Sequence, residues 1–168
     1  MDIRRLVAAD ADIYWSTRNR GLKEFPDAFT TSHEEGLATA PDKLALRFGR
    51  EGSDDFVLGA FDDDNGLAGY AGFQRESRAK NRHKGTLVGM YVVPEHRGGG
   101  TGKRLLEALI AEVRRLRGME QINLTVTQSN PGARNLYLAA GFVSFGIESH
   151  AIKVDGVYYA KEYMFLRL

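Results

Sequence analysis

The chain has no cysteine, which excludes disulfides, thiolate metal sites and a cysteine nucleophile, and fits a reducing cytoplasm. Charge of one sign is lacking too: 23 Lys and Arg against 22 Asp and Glu leave a net +1, so no global field selects nucleic acid or a membrane surface. The four histidines are scattered without metal-ligand spacing. The start, Met1-Asp2-Ile3-Arg4-Arg5, is charged and runs into Asp10 and Asp12, so it has no signal-peptide core, and no apolar run reaches membrane length. What is present is 43% hydrophobic content in 168 residues, with 19 glycines. That suits one domain over residues 1–168, burying roughly two-thirds of its unfolded surface. The expectation is a soluble, cytoplasmic protein with no metal, nucleic-acid or membrane partner.

The most informative stretch runs from Leu87 to Ile110. Leu87-Val88-Gly89-Met90-Tyr91-Val92-Val93 is apolar and β-branched enough for a buried strand, and Pro94 stops it. Arg97-Gly98-Gly99-Gly100-Thr101-Gly102 turns the chain, after which Leu105, Leu106, Leu109, Ile110, Val113 and Leu116 recur at helical spacing. The helix is predicted to open at about Gly100 to Gly102. Unpaired N–H groups and the macrodipole make a helix start attractive to anions. Glycines there let the backbone wrap a phosphate, with Arg97 and Lys103 adding charge.

Spacing separates the phosphate-binding patterns. A Walker loop fails, because Arg97 occupies the place of its first glycine and Arg104 that of its Ser or Thr. A dinucleotide fingerprint begun at Gly98 ends on Lys103, and begun at Gly100 ends on Leu105. The segment instead resembles the acyl-CoA signature of the GCN5-related N-acetyltransferases (GNAT), R/Q-x-x-G-x-G/A, matched by Arg97, Gly100 and Gly102. The lead-in Met90-Tyr91-Val92-Val93-Pro94-Glu95-His96 is similar to that family's as well.

Ile3 to Leu6 reads as a strand and Ala9 to Glu24 as a weakly patterned helix. Ser32-x-x-Glu35 is a capping box that would start another helix, and Pro41 to Phe48 forms a further piece. In the family this region lines the acceptor side, which makes Phe29 a candidate pocket wall and Glu35 a candidate base, although a capping carboxylate is the simpler role for Glu35. Phe56 to Phe61 and Leu67 to Gln74 are strands joined by an acidic turn, Asp62-Asp63-Asp64-Asn65-Gly66. Counting back from Gly66 puts Phe61 at the first calcium-ligand position, so an EF-hand loop fails. Arg75 to Lys84 is a basic loop, read as a solvated hairpin end. Gln121 to Thr127 is a strand that should lie parallel to the central one through a right-handed crossover, with ligands at the carboxyl ends of the pair.

Asn130-Pro131 reads as a helix cap followed by the first helical position, and Gly141 as the helix end. The same window matches the family's N-x-x-A-x-x-L-Y-x-x-x-G-F through Asn130, Ala133, Leu136, Tyr137, Gly141 and Phe142. Two motifs in the right order imply a GNAT-type α/β fold: a mixed, mostly antiparallel sheet of about seven strands, with a central, splayed parallel pair and flanking helices. Gly89 beside Met90 is compatible with the bulge the family places there. The tail, Val143 to Ile152 and Val157 to Leu168, reads as a long hairpin with Tyr159, Tyr163 and Phe165 alternating toward the core.

The resemblance implies an acyltransferase that moves acetyl from acetyl-CoA directly to a primary amine of a small molecule or peptide, with a homodimer as one open arrangement. The alternative is a non-catalytic acyl-CoA-binding sensor or assembly module of the same fold. The cofactor-binding set would be Met90, Tyr91, Val92, Arg97, Gly98, Gly99, Gly100, Thr101, Gly102, Lys103, Asn130 and Tyr137. Tyr137 would act as general acid toward the departing thiolate, and a backbone N–H at about Tyr91 or Val92 would polarise the carbonyl. The central strand has no carboxylate, which leaves Glu35, His150 and a held water as candidates to take the amine proton. Phe29, Glu35 and His150 are the candidate substrate-pocket residues.

Overall fold

A computed structural model describes residues 1–49 and 52–168. Seven strands form one sheet in the order β1-β2-β3-β4-β5-β7-β6: β1 (Asp2–Arg5), β2 (Phe56–Phe61), β3 (Leu67–Arg75), β4 (Lys84–Val92), β5 (Gln121–Thr127), β6 (Val143–Val154) and β7 (Val157–Arg167). Every neighbouring pair is antiparallel except β4–β5. Helix α4 (Thr101–Arg115) makes the crossover between those two. Both expectations for this unit, the parallel pairing and the helix start, match what is observed.

Two cores explain the layering. On one face α4 lays Leu105, Leu106, Leu109, Ile110 and Val113 against Phe56, Leu58 and Phe73 of β2 and β3. Each such side chain, when fully buried, contributes about 1.5–3 kcal/mol. On the other face Tyr14 of α1 (Ala11–Glu24), Leu44 of α3 (Pro41–Ala45), Phe48 and Tyr70 pack around Val57, Phe61 and Tyr91. β2 is buried on both sides, which is why Phe56-Val57-Leu58 shows an unbroken apolar run rather than alternation. Helix α2 (His33–Ala38) starts at the predicted capping box: Glu35 N–H donates to Ser32 Oγ at 3.2 Å, and Ser32 N–H donates to Glu35 Oε2 at 2.8 Å. Helix α5 (Pro131–Ala139) opens on Asn130, whose side chain accepts from Ala133 N–H, and Gly141 follows it at φ +93.

Two expectations are corrected. Along β7 the inward residues are Glu162, Met164 and Leu166, while Tyr159, Tyr163 and Phe165 sit on the half-exposed face. Period-2 alternation fits either parity, and packing selects the one that buries Glu162, Met164 and Leu166. Arg75 is also no member of a solvated loop. It ends β3, its side chain is 11% exposed, and it donates to Asp54 at 2.8 Å and to the carbonyls of Arg82 and Arg117. Among the described residues no helix is long and apolar enough to cross a membrane.

Candidate active site

The parallel pair comes apart. β4 and β5 are in register only at Lys84↔Gln121, Gly85↔Ile122 and Thr86↔Asn123, yet both strands continue, β4 to Val92 and β5 to Thr127. From Leu87 onward the facing edges have no strand partner in each other, which leaves backbone donors and acceptors available to an extended ligand. A bulge accompanies the parting. Gly72 pairs Val88 and Tyr70 pairs Tyr91, so Gly89 and Met90 stand opposite Ala71 alone, and Gly89 takes φ +63 as the extra residue requires.

Backbone alternation fixes which amides face the gap. Val93 N–H donates to the Ala68 carbonyl at 2.9 Å, toward β3. One residue earlier the direction reverses, so the Val92 N–H points to the gap, and the Tyr91 N–H points to β3. The Val92 carbonyl, on the same side as its own N–H, accepts from Arg97 Nε at 2.8 Å. The Arg97 guanidinium in turn lies 4.4 Å over the Phe25 ring, so this residue anchors the glycine turn to the end of β4.

The turn is an open cradle. Gly100 caps α4 at φ +82, Gly98 has φ +78, and a Cβ built on Gly98, Gly99 or Gly100 would meet nothing within 4 Å. Side chains there would occupy the space in front of the first N–H groups of α4 and would have to adopt a left-handed conformation at two positions. The residues therefore fit a pyrophosphate, and Lys103, 71% exposed, stands one turn in. Gly102 faces inward. A Cβ there would lie 3.7 Å from the Met90 methyl and 3.5 Å from Leu136.

Met90 also links the turn to Tyr137, whose hydroxyl lies 3.7 Å from the Met90 sulfur. Tyr137 is 6% exposed and packs at 5.8 Å against Phe142. Burial pushes its phenol up to about 12, so it keeps its proton at any physiological pH. It lines a cavity of about 440 Å³ between the parted strands, α1 and the 25–31 segment, together with Met90, Asn130 and Phe29. That segment roofs the cavity through bonds to the far wall: Thr127 Oγ1 donates to the Asp27 carbonyl at 2.8 Å, Ser129 to the Asp27 carboxylate, and Lys161 Nζ to Thr30 Oγ1 at 2.6 Å.

Glu35 and His150 are placed elsewhere. The Glu35 carboxylate is engaged in the α2 capping box and does not line the cavity. His150 is exposed on β6, stacked at 4.4 Å on Tyr158. Among the described residues no Asp or Glu lines the cavity at all. Sequence reading passed over Arg18, Arg47 and Lys161, three cations that do line it, and also Tyr14, Tyr70 and Gln74. A signal for the first was available: α1 looked weakly patterned because its inward face carries Thr17, Arg18 and Asn19 beside Tyr14 and Leu22.

The sequence matches the model of the Acetyltransferase (GNAT) family over residues 18–142. Mycothiol acetyltransferase of Salinispora tropica is 34% identical over 119 residues, covering 68% of this chain and 38% of that protein, so the chain spans well under half the length of that curated relative. Among solved structures, a GNAT-family acetyltransferase from Streptococcus pneumoniae superposes with a TM-score of 0.91 at 23% identity, covering 99% of each chain. A GNAT superfamily phosphinothricin acetyltransferase from Sinorhizobium meliloti, solved in complex with acetyl-CoA, superposes with a TM-score of 0.86 at 24% identity, covering 99% of this chain and 88% of that one. These structural likenesses establish the fold.

Proposed function

Since the chain belongs to the acetyltransferase (GNAT) family, we propose that it transfers acetyl from acetyl-CoA directly to a primary amine of a small molecule or peptide, as a single N-acetyltransferase domain. One observation carries the reading. A desolvated, protonated tyrosine hydroxyl stands at the point where β4 and β5 part, joined through Met90 to an open glycine turn at a helix start.

The Gly98–Gly102 turn and Lys103 would hold the pyrophosphate, and the parted edges of β4 and β5 the pantetheine arm. Acetyl-CoA, when bound, supplies the acetyl carbonyl and a thiol leaving group. The Val92 N–H donates toward the carbonyl oxygen as negative charge develops on it. The amine nitrogen bonds to the carbonyl carbon, the carbon–sulfur bond breaks, and Tyr137 Oη–H protonates the departing sulfur. The amine must first lose a proton, and with no described carboxylate on the cavity wall we assign that proton to water. The new amide nitrogen then gives up its second proton to water, and water restores the Tyr137 proton. The chain has no cysteine, in keeping with direct transfer rather than a thioester on the protein.

Thermal unfolding with acetyl-CoA, CoA, ATP and NADPH tests the donor half, followed by a thiol-release screen across amines. At a hundred times its dissociation constant a ligand adds about 2.7 kcal/mol, which raises the midpoint by several degrees. Acetyl-CoA and CoA should shift it and the other two should not. A chain shifted by acetyl-CoA that acetylates no amine would fit the non-catalytic acyl-CoA module instead.

A further inference from the structure

The α1 end of the cavity holds a charge with no counter-charge among the described residues. Arg18 is 6% exposed, lines the cavity, and its Nη1 is sealed from solvent without a hydrogen-bond partner among the described residues. A guanidinium cannot shed its proton to escape burial. A buried charge left uncompensated is costly, and buried polar groups in native proteins nearly always find a partner. Arg47, in the short turn that follows α3, lines the same cavity, and the fields of both arginines act on the phenols of Tyr14 and Tyr70. Both guanidinium groups therefore lie on one cavity, within electrostatic reach of the same two phenols. Neither Arg18 nor Arg47 forms an ion pair with a described carboxylate. Lys161, on the opposite wall, already donates to Thr30.

We propose that this corner is an oxyanion subsite, and that the acceptor is an amine bearing a carboxylate or a phosphorus oxyanion held by Arg18 and Arg47. The proposal rests on the acetyl-transfer reading, because such an acceptor shares the cavity with Tyr137. The chemistry suits it. A guanidinium offers a planar fork of donors matched to two oxygens of one oxyanion. Burial holds the Tyr14 and Tyr70 hydroxyls in their protonated form, ready to donate to a third oxygen. No described carboxylate lines the wall to repel the incoming anion.

The test uses acceptors that differ mainly in the anion: leucine against 3-methylbutylamine, and 2-aminoethylphosphonate against ethylamine, with inorganic phosphate as the bare probe. Unfolding midpoints and thiol release are read on the wild type, Arg18→Met and Arg47→Ala. The anionic member of each pair should be favoured by about a hundredfold in kcat/KM, and both variants should lose most of that preference. Phosphate and the anionic amines should raise the wild-type midpoint more than that of either variant. Without ligand, Arg18→Met should unfold at or above the wild-type temperature, because an unpaired buried charge has gone. The proposal is overturned if neutral and anionic amines are used equally, or if none of the three anions stabilises the wild type more than both variants. A clear loss of ligand-free stability in Arg18→Met would assign that residue a structural role and overturn it too. Arg47, being exposed, can be removed without disturbing the core, so Arg47→Ala reads the anion preference independently of any stability change at Arg18. Acetyl-CoA alone is titrated in parallel. A midpoint shift with acetyl-CoA leaves the transfer reading standing whichever way the anion arm falls.

Discussion

The two halves of the cleft are built differently. The proposed donor half is local: the glycine turn, the start of α4 and the parted edge of β4 lie within residues 84–102, and Tyr137 comes from one short capped helix. The proposed acceptor half is assembled from afar, from Arg18 on α1, Phe29 in the 25–31 segment, Arg47 after α3 and Lys161 on β7, all of which line the cavity. A site that must offer consecutive backbone N–H groups to a phosphate needs particular residues at fixed spacing. A site that recognises a side group needs only side chains converging in space, from whichever elements the fold brings there. Donor chemistry is therefore a motif, and acceptor chemistry is a constellation.

The sharpest way to break this division is at Tyr137. Tyr137→Phe removes one oxygen from a packed ring, so the fold and the affinity for acetyl-CoA should persist while kcat falls about 10²–10⁴-fold. Steady-state kinetics beside a binding titration checks both parts. The pH profile sharpens it. A phenol pushed up to about 12 stays protonated far into alkali, so kcat/KM should rise as the amine loses its proton and show no descending limb from Tyr137 below about pH 10. A fall centred near pH 8 would remove Tyr137 from the role of acid.

A smaller effect is expected at the turn. Gly100→Val places a β-branched residue at φ +82 in open space. The strain costs about 1–2 kcal/mol, and the side chain obstructs the helix start. Acetyl-CoA affinity should drop by about tenfold or more with little change elsewhere, as a titration would report.

Smaller again is the support beneath the donor half. Glu162, 4% exposed, accepts from Arg134 Nε at 2.6 Å and ties α5, which carries Tyr137, to β7. The Arg134 guanidinium holds its carboxyl below the usual range. Because the folded value is lower than the unfolded one, this contribution is complete above about pH 4.3 and disappears as pH falls through the folded value. Wild-type midpoints should therefore decline more steeply than those of Glu162→Gln between about pH 5 and 3. The smallest change is Glu35→Ala, which removes one side of a cap: about 0.5–1 kcal/mol of stability and no change in kcat. A large loss of turnover there would return Glu35 to the chemistry and redraw the acceptor half.

Legibility followed the same division. Asn130, Pro131 and Gly141 announce α5 through cap chemistry, and the apolar spacing from Leu105 to Val113 announces α4, because each signal is carried by neighbouring residues. Gly89 suggested a bulge, but the separation of β4 from β5 beyond Thr86 depends on how two distant strands meet and could be expected only by resemblance. The parity of β7 was misread because Tyr159, Tyr163 and Phe165 alternate as well as Glu162, Met164 and Leu166, and only packing against β5 and α5 chooses between them. Arg18 is hidden for a different reason. A cation on a helix reads as solvent-facing by default, and the polar run Thr17-Arg18-Asn19 that weakens the α1 pattern does not say which of its members meets a cavity.

Thiol release from acetyl-CoA by wild type and Tyr137→Phe, each first shown to bind acetyl-CoA by thermal shift, decides whether this cleft transfers acetyl. Equal stabilisation of both proteins by acetyl-CoA, with turnover in the variant lowered by about 10²–10⁴-fold, is the result predicted. A wild type that acetyl-CoA does not stabilise, or a Tyr137→Phe variant that turns over at the wild-type rate, would contradict it.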